Sequence, residues 1–457
     1  MFIEDKITYK NRKILIITFV ATMLIVDFVQ YDVSITNHIY TGLLTIILLF
    51  SILSRNISKG YIWIFILFML FQDMSRYFYS GNNFNSPFLG SLKYVFIWFT
   101  ILIGISKGVF NRKNIFYTCF ALVVLIISMV KGQVNGYIAK DIVFYFNLFL
   151  LPIFISYILK TSDCYKLIKL YDVFVYAFPI FTLLLLLLNR TYNIYGSLYT
   201  TVGNISLMNI AYLVGKILKK NNKFNLIQYI YILAYLGVYF VSPSSGGMLV
   251  LIAIGIYYVI KRSRNVNIAI RWTVFISLLI IIISVTLLIF NYFIESPKYS
   301  GTFARFKVLQ IQYMFKARSL AELPFSVRVR VAEVLNIIHS DNIIDFLFGR
   351  GFGGFFRDNL NIFGVIEQTD NAFSLQELAT GQYYSAHFIL TNIFLKFGLI
   401  GLVLLIQYAI QTYKVINKRY EEFIPVLGVV LYACDYGIKL IILFAFIYGA
   451  IMKLNES

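Results

Sequence analysis

The sequence predicts an all-α polytopic membrane protein of about 14 transmembrane helices, with a range of 11–14. Hydrophobic residues make up 60% of the 457 residues and charged residues only 13%. Apolar runs long enough to cross a bilayer recur from Ile14 to Ile451. A bilayer core needs about 20 such residues per helix, and its lack of water forces backbone polar groups to pair within each segment.

The predicted spans follow one another along nearly the whole chain. Four basic residues before the first span resemble the start of a signal peptide, but no small-residue cleavage site follows, so the segment is kept as a span. The predicted spans are 14–29, 37–54, 61–73, 88–106, 115–130, 142–159, 171–189, 204–218, 225–241, 245–260, 270–293, 387–413, 423–434 and 437–452.

Topology accounts for the net charge of +19. With the amino terminus inside, the cytoplasmic segments hold 24 of the 40 Lys and Arg residues when Lys216 and Arg271, at the inner ends of their spans, are counted with them, whereas the short outer loops hold 4. This asymmetry follows the positive-inside rule, which places both termini in the cytoplasm and the long loop outside. We therefore expect no nucleic-acid partner.

We predict a single polytopic domain, 1–457, with one long outer loop, 294–386. From Glu295 to Tyr384 the loop carries nine acidic and nine basic residues. This balance suits a surface that binds an anion locally, through arginines placed at one point. None of the three cysteines lies in the loop, so no disulfide framework or thiolate metal site is predicted.

Within the loop, the segment from Ser326 to His339 has the spacing of an amphipathic helix, with Ser326 as its N-cap. At 100° per residue, Arg328 and Arg330 fall on opposite edges of the apolar stripe. Glu333 lies at i+3 from Arg330, which predicts an ordinary ion pair, whereas Arg328 lies in the first turn, where free N–H groups and the helix dipole favour an anion. The stripe consists of Val327, Val331, Val334, Leu335 and Ile338.

The glycine-rich segment Gly349 to Gly354, GRGFGG, is interpreted as a flexible turn. Its glycine spacing does not match a dinucleotide-binding fingerprint, and no predicted strand precedes it.

Four segments between residues 242 and 413 resemble the bacterial O-antigen polymerase and ligase superfamily, to which the Wzy polymerases belong. In these enzymes, the later spans and a glycine turn follow one another in the same order as in this chain and have a similar composition. Phe388 stands where ligases usually have asparagine after the histidine, which favours the polymerase over the ligase. The segments are SPSSGGMLVLIAIGIYYVIKR, SVRVRVAEVLNII, FLFGRGFGG and AHFILTNIFLKFGLIGLVLL.

The resemblance implies a GT-C-type glycosyltransferase architecture in the bacterial inner membrane, with its active site on the outer face. The donor would be an oligosaccharide on undecaprenyl pyrophosphate, moved en bloc onto a second lipid-linked unit. No cofactor or metal is implied. Membrane lipid, a chain-length regulator and a flippase are the expected partners.

Three residues are predicted to be catalytic. Arg328 and Arg330 could hold the departing pyrophosphate, because guanidinium stays charged and binds phosphate through parallel hydrogen bonds. His387, at the outer end of a span, could remove the acceptor hydroxyl proton or bind phosphate as a cation, since an ordinary imidazole titrates near neutral pH. The alternatives are a solvated helix edge for the arginines and an interfacial anchor for the histidine.

Six further residues are weaker candidates for contacts with phosphate or sugar. Three are arginines of the loop, two are loop carboxylates that could replace His387 as the base, and one is a lysine inside the fourth span, where a charge is a functional suspect unless it snorkels to the interface. They are Arg305, Arg350, Arg357, Asp370, Glu377 and Lys93.

Two other functions compete with the polymerase. An O-antigen ligase would transfer the finished glycan to a lipid A core. A lipid-linked oligosaccharide flippase would also have many helices, but flippases usually show two related halves and short loops, unlike this chain.

Overall fold

Helices account for nearly all of the residues that the computed structural model describes. These are residues 9–29, 33–70, 91–109, 115–131, 135–188, 201–219, 226–241, 245–262, 273, 276, 316, 318–319, 322–323, 325–340, 342–363, 373, 375–432 and 438–456. Within these ranges there is no β-strand, and a single isolated bridge joins Phe356 to Tyr383. The all-α prediction is confirmed for this part of the chain.

The helices are numbered here in chain order. Among the described residues, eleven helices precede the long loop: α1 Tyr9–Val29, α2 Val33–Leu53, α3 Ile57–Leu70, α4 Ser91–Ser106, α5 Ile115–Val130, α6 Tyr137–Tyr145, α7 Leu151–Ile158, α8 Thr161–Leu188, α9 Thr201–Lys219, α10 Leu226–Val241 and α11 Ser245–Arg262. Three lie within the loop: α12 Phe325–Ser340, α13 Ile343–Phe348 and α14 Leu375–Thr380. Three follow it: α15 Ile389–Ile416, α16 Ile424–Tyr432 and α17 Ile438–Glu456.

Most predicted spans coincide with a helix, because long apolar runs have few ways to satisfy their backbone except as helices. The predicted span 142–159 is α6 and α7 joined through a π-helical turn, Phe146–Leu150, just before Pro152. Proline cannot donate a backbone hydrogen bond, and a widened turn accommodates it. The predicted span 270–293 lies almost wholly outside the described residues.

The apolar helices indicate a membrane-embedded protein. By length and composition, three stretches of the described residues are able to cross a membrane: Tyr137–Ile158, Thr161–Leu184 and Ile389–Ile416. Shorter apolar helices surround them, and large apolar side chains such as Leu53, Trp98 and Val130 face outward.

Helix α17 lies at the centre of the bundle. Phe446 packs against the rings of Phe65, Phe68 and Phe96, with centroids 5.5 to 6.1 Å apart. At Gly449 the helix touches α7 so closely that an added Cβ would lie 2.5 Å from the Pro152 carbonyl oxygen. This packing fixes α7 and, through it, α6, which carries Asp141, one member of the buried ion pair beneath the glycine turn.

Candidate active site

The loop helix α12 buries the face opposite to its apolar stripe. It begins at Phe325, so Ser326 lies inside the first turn rather than at the predicted N-cap. Val329, Ala332 and Ile337 are buried in a small core formed by the loop together with Leu395 of α15. An amphipathic helix in water would bury its apolar stripe instead. The buried face here is completed by two polar residues, Glu333 and Asn336.

Asn336 ties α12 to the segment that follows the glycine turn. Its side-chain amide donates to Asp358 at 2.7 Å and its oxygen accepts from the Leu360 N–H at 3.0 Å. Asp358 also accepts from the backbone N–H groups of Ile362 and Phe363. Buried polar groups are tolerated when they are bonded in this way, so this network brings α12 into a fixed position.

Glu333 is bonded to His387, 54 residues further along the chain. One carboxylate oxygen contacts the imidazole Nδ1, and the other accepts from the His387 backbone N–H at 3.0 Å. The Glu333 side chain is fully buried and that of His387 is 12% exposed. The edge of the Phe373 ring packs on the imidazole, with centroids 5.4 Å apart. The predicted ion pair of Arg330 with Glu333 is therefore replaced by a carboxylate–histidine pair.

This pair has the geometry of an oriented general base. A carboxylate at Nδ1 fixes the tautomer and ring plane and stabilises the imidazolium that forms when a proton is taken up. Proton exchange with a substrate would then use Nε2.

Arg330 is the arginine that reaches the same place. Its guanidinium carbon lies 5.3 Å from the centre of the Phe388 ring, and Phe388 follows His387 directly. Arg328 is about 200° away around α12, at the other edge of the buried face. Both arginines are half-buried. The structure thus brings Arg330 to the start of α15 and places Arg328 on the opposite border of the helix.

The glycine-rich turn is packed, which corrects the prediction of a flexible turn. The N–H groups of Arg350 and Gly351 donate to the carbonyls of Leu395 and Lys396, each at 2.9 Å. Gly349 has a positive φ of 75°, and a Cβ there would lie 2.3 Å from the backbone of Lys396. Only glycine permits this approach.

A buried ion pair holds the turn from inside the bundle. The Lys396 ammonium lies 2.6 Å from the Asp141 carboxylate, with side-chain exposures of 2% and 5%. Lys396 also donates to the Gly354 carbonyl at 2.7 Å, and Asp141 accepts from the Gly353 N–H at 2.7 Å. Two charges inside a bundle are tolerated when they are paired and hydrogen-bonded. Neither residue is among the predicted site residues, although the charge of Lys396 within an apolar run was a usable signal.

Of the remaining candidates, three have side chains that the structure describes: Arg350, Arg357 and Glu377. Arg350 donates to the Phe355 carbonyl. The side chain of Arg357 is exposed, and its guanidinium carbon lies 5.6 Å from the centre of the Phe355 ring. Glu377 is buried and accepts from the Tyr384 N–H at 2.9 Å, which gives it a structural role. Lys93 lies in the first turn of α4. Arg305 and Asp370 lie outside the described residues.

Two tyrosines next to the site keep their hydroxyl protons. Burial, followed by the carboxylates of Asp358 and Glu377, raises the pKa of Tyr383 above its ordinary value. Tyr384 stacks on Tyr137, with ring centroids 3.9 Å apart, and burial raises its pKa too. This stack joins the end of the loop to the start of α6.

No protein-family model and no curated protein matches this chain. A functional assignment therefore depends on the site geometry and on the motif resemblance described above.

Proposed function

We propose that this chain is a polysaccharide polymerase, of the O-antigen or capsule type, in the bacterial inner membrane. It would transfer a glycan from undecaprenyl pyrophosphate onto a lipid-linked repeat unit at the outer face. The observation that carries the proposal is the pairing of His387 with buried Glu333 beside Arg330, at the start of a helix long enough to span a membrane. The GT-C-type architecture and the count of about 14 spans belong to the same proposal.

The proposed reaction needs a base for the acceptor hydroxyl and a positive charge for the leaving pyrophosphate. His387 would accept the proton of the acceptor hydroxyl while that oxygen forms a bond to the anomeric carbon of the donor glycan. The bond from that carbon to the pyrophosphate oxygen breaks, and its electron pair leaves with undecaprenyl pyrophosphate. Arg330 would hold the leaving anion, since preorganised positive charge stabilises developing negative charge. The role predicted for Arg328, on the opposite border of α12, stays a prediction.

The contacts of the bundle support the proposed topology. The predicted inner segments that hold Lys219 and Glu422 contact each other through this ion pair, at 2.8 Å, and Arg12 of the first inner segment pairs at 2.8 Å with Asp172 at the inner end of the predicted span 171–189. Predicted outer segments do likewise, as where Lys140 donates to Ser385 at 3.0 Å. This separation is expected if the loop and its site lie outside and both termini lie inside.

The test is the glycan ladder of a bacterial strain that lacks the gene for this chain. We expect single repeat units to accumulate, long chains to return with the unaltered gene, and a normally expressed Arg330→Ala variant to restore few long chains. Unattached long chains would instead indicate a ligase. Repeat units trapped on the cytoplasmic side would indicate a flippase, and a normal ladder would refute all three.

A further inference from the structure

Helix α12 exposes its apolar stripe, and the next helix, α13, exposes large apolar side chains as well. Val334, Leu335 and Ile338 are 39%, 38% and 51% exposed, and on α13 the exposures of Ile343 and Ile344 reach 71% and 58%. The helix α13 has no fully buried residue. Monomeric soluble proteins rarely expose contiguous apolar surface of this kind, so it marks an interaction surface.

Two contacts fix the position of α13 along the length of the bundle. Lys131, directly after α5, donates to the Gly349 carbonyl at 2.8 Å and pairs with Asp345 of α13. An added Cβ on Gly351 would lie 2.5 Å from the hydroxyl of Ser128 in the last turn of α5. The helix α13 therefore lies level with the end of α5 that precedes Lys131.

Exposed apolar residues of the bundle lie at this same level. On α5, Ile126, Met129 and Val130 all face outward. On α15, which packs against α13 where Phe346 meets the edge of the Phe394 ring, Leu390 and Leu399 are exposed. The exposed apolar residues of α13 thus lie at the same level as outward-facing apolar residues of helices that are suited to a membrane.

The charged residues around the surface also fit a lipid interface. Arg328 and Arg330 lie at the two borders of the α12 stripe, about 80° apart from the stripe centre on either side. Basic side chains at such borders suit the headgroup level of a membrane, where the pyrophosphate of a lipid-linked substrate would also lie. The one carboxylate of α13, Asp345, is paired with Lys131.

We propose that α12 and α13 lie in the outer leaflet of the membrane, with the stripe of α12 and the exposed residues of α13 in contact with lipid acyl chains. The inference depends on the membrane embedding of the bundle and on the proposed topology, but not on the proposed reaction. It assigns the loop helix to the bilayer surface, which explains why the helix buries Glu333 and Asn336 and leaves its apolar stripe outside.

The test uses an environment-sensitive fluorophore on the full chain in lipid nanodiscs. The three cysteines are replaced by alanine, and bimane is attached at Ile344→Cys or, as a matched control, at Gln376→Cys, an exposed position of α14. Lipids with a nitroxide near the headgroup should quench the fluorophore at position 344 several-fold more than at 376. Iodide in water should show the reverse order.

Two results would overturn the proposal. Equal iodide quenching at both positions would place α13 in water, and protection at 344 from both quenchers would place it against protein, such as a second copy. If the cysteine variants fail to assemble, a photoreactive diazirine lipid applied to the unaltered chain gives the answer. Adducts within Ile343–Phe348 are expected, and adducts on α5 and α15 but not there would contradict the proposal.

Discussion

Replacing Lys396 with methionine tests the buried ion pair, because methionine keeps most of the side-chain length and removes the charge. The Asp141 carboxylate, 5% exposed, would lose its partner at 2.6 Å, and the Gly354 carbonyl would lose a donor at 2.7 Å. Breaking a buried pair from one side costs about 3–5 kcal/mol, since the remaining charge is left in a medium that solvates it poorly. We expect the free energy of unfolding to fall by about that amount.

The double variant Asp141→Leu/Lys396→Met separates charge pairing from packing. Replacing both charges by apolar groups is often neutral, so the double variant should lie within about 2 kcal/mol of the unaltered protein and the coupling energy should reach about 4 kcal/mol. Steric-trap unfolding in bicelles measures these values. As a control, Lys166→Met removes a lysine that is 59% exposed, where a loss of under about 1 kcal/mol is expected. Additive losses from the two single changes would refute the reasoning.

Two further predictions concern the glycine turn and the loop. Gly349→Ala should lower the free energy of unfolding by more than about 3 kcal/mol, because an added Cβ meets the backbone of Lys396. Gly108→Ala is the control: Gly108 has a similar φ of 71° but open space around it, so the change should cost only about 1–2 kcal/mol of backbone strain. Equal losses would contradict the close approach at Gly349. Asp358→Ala should speed amide hydrogen exchange at Ile362 and Phe363 about tenfold or more, because each N–H loses a charged acceptor. Unchanged exchange would show that Asp358 does not brace the loop.

The sequence predicted the helices well because their determinants are local. Length and hydropathy alone placed 115–130, which is also the observed α5, and 225–241, which differs from α10 by one residue. The π-helical turn before Pro152 was missed, since hydropathy does not show how the backbone hydrogen bonds of a helix rearrange around a proline.

The orientation of α12 could not be predicted from its pattern alone. Periodicity gives the angular separation of faces, and the two arginines do lie at the borders of the stripe. Periodicity does not show which face contacts the protein core and which face contacts water or lipid. Glu333 and Asn336 are buried only because His387 and Asp358, distant in sequence, provide partners for them.

The site was predicted only in part, because some of its contacts join residues that are distant in sequence. His387 and Arg330 were selected by residue chemistry and by resemblance, and the structure brings them together at the start of α15. Glu333 was assigned to Arg330 because local pairs are the ones that spacing can reveal. The pairing of Asp141 with Lys396 spans the bundle and has no local signature.

Chain extension by the purified protein tests the central claim most directly. The protein is reconstituted in nanodiscs with undecaprenyl-pyrophosphate-linked repeat units isolated from the deletion strain, and Glu333→Gln is compared with the unaltered chain. If Glu333 orients His387 as the base, turnover should fall roughly 10²–10⁴-fold while donor binding is kept, and adding His387→Ala should cause little further loss. Turnover by Glu333→Gln equal to that of the unaltered chain would contradict the account.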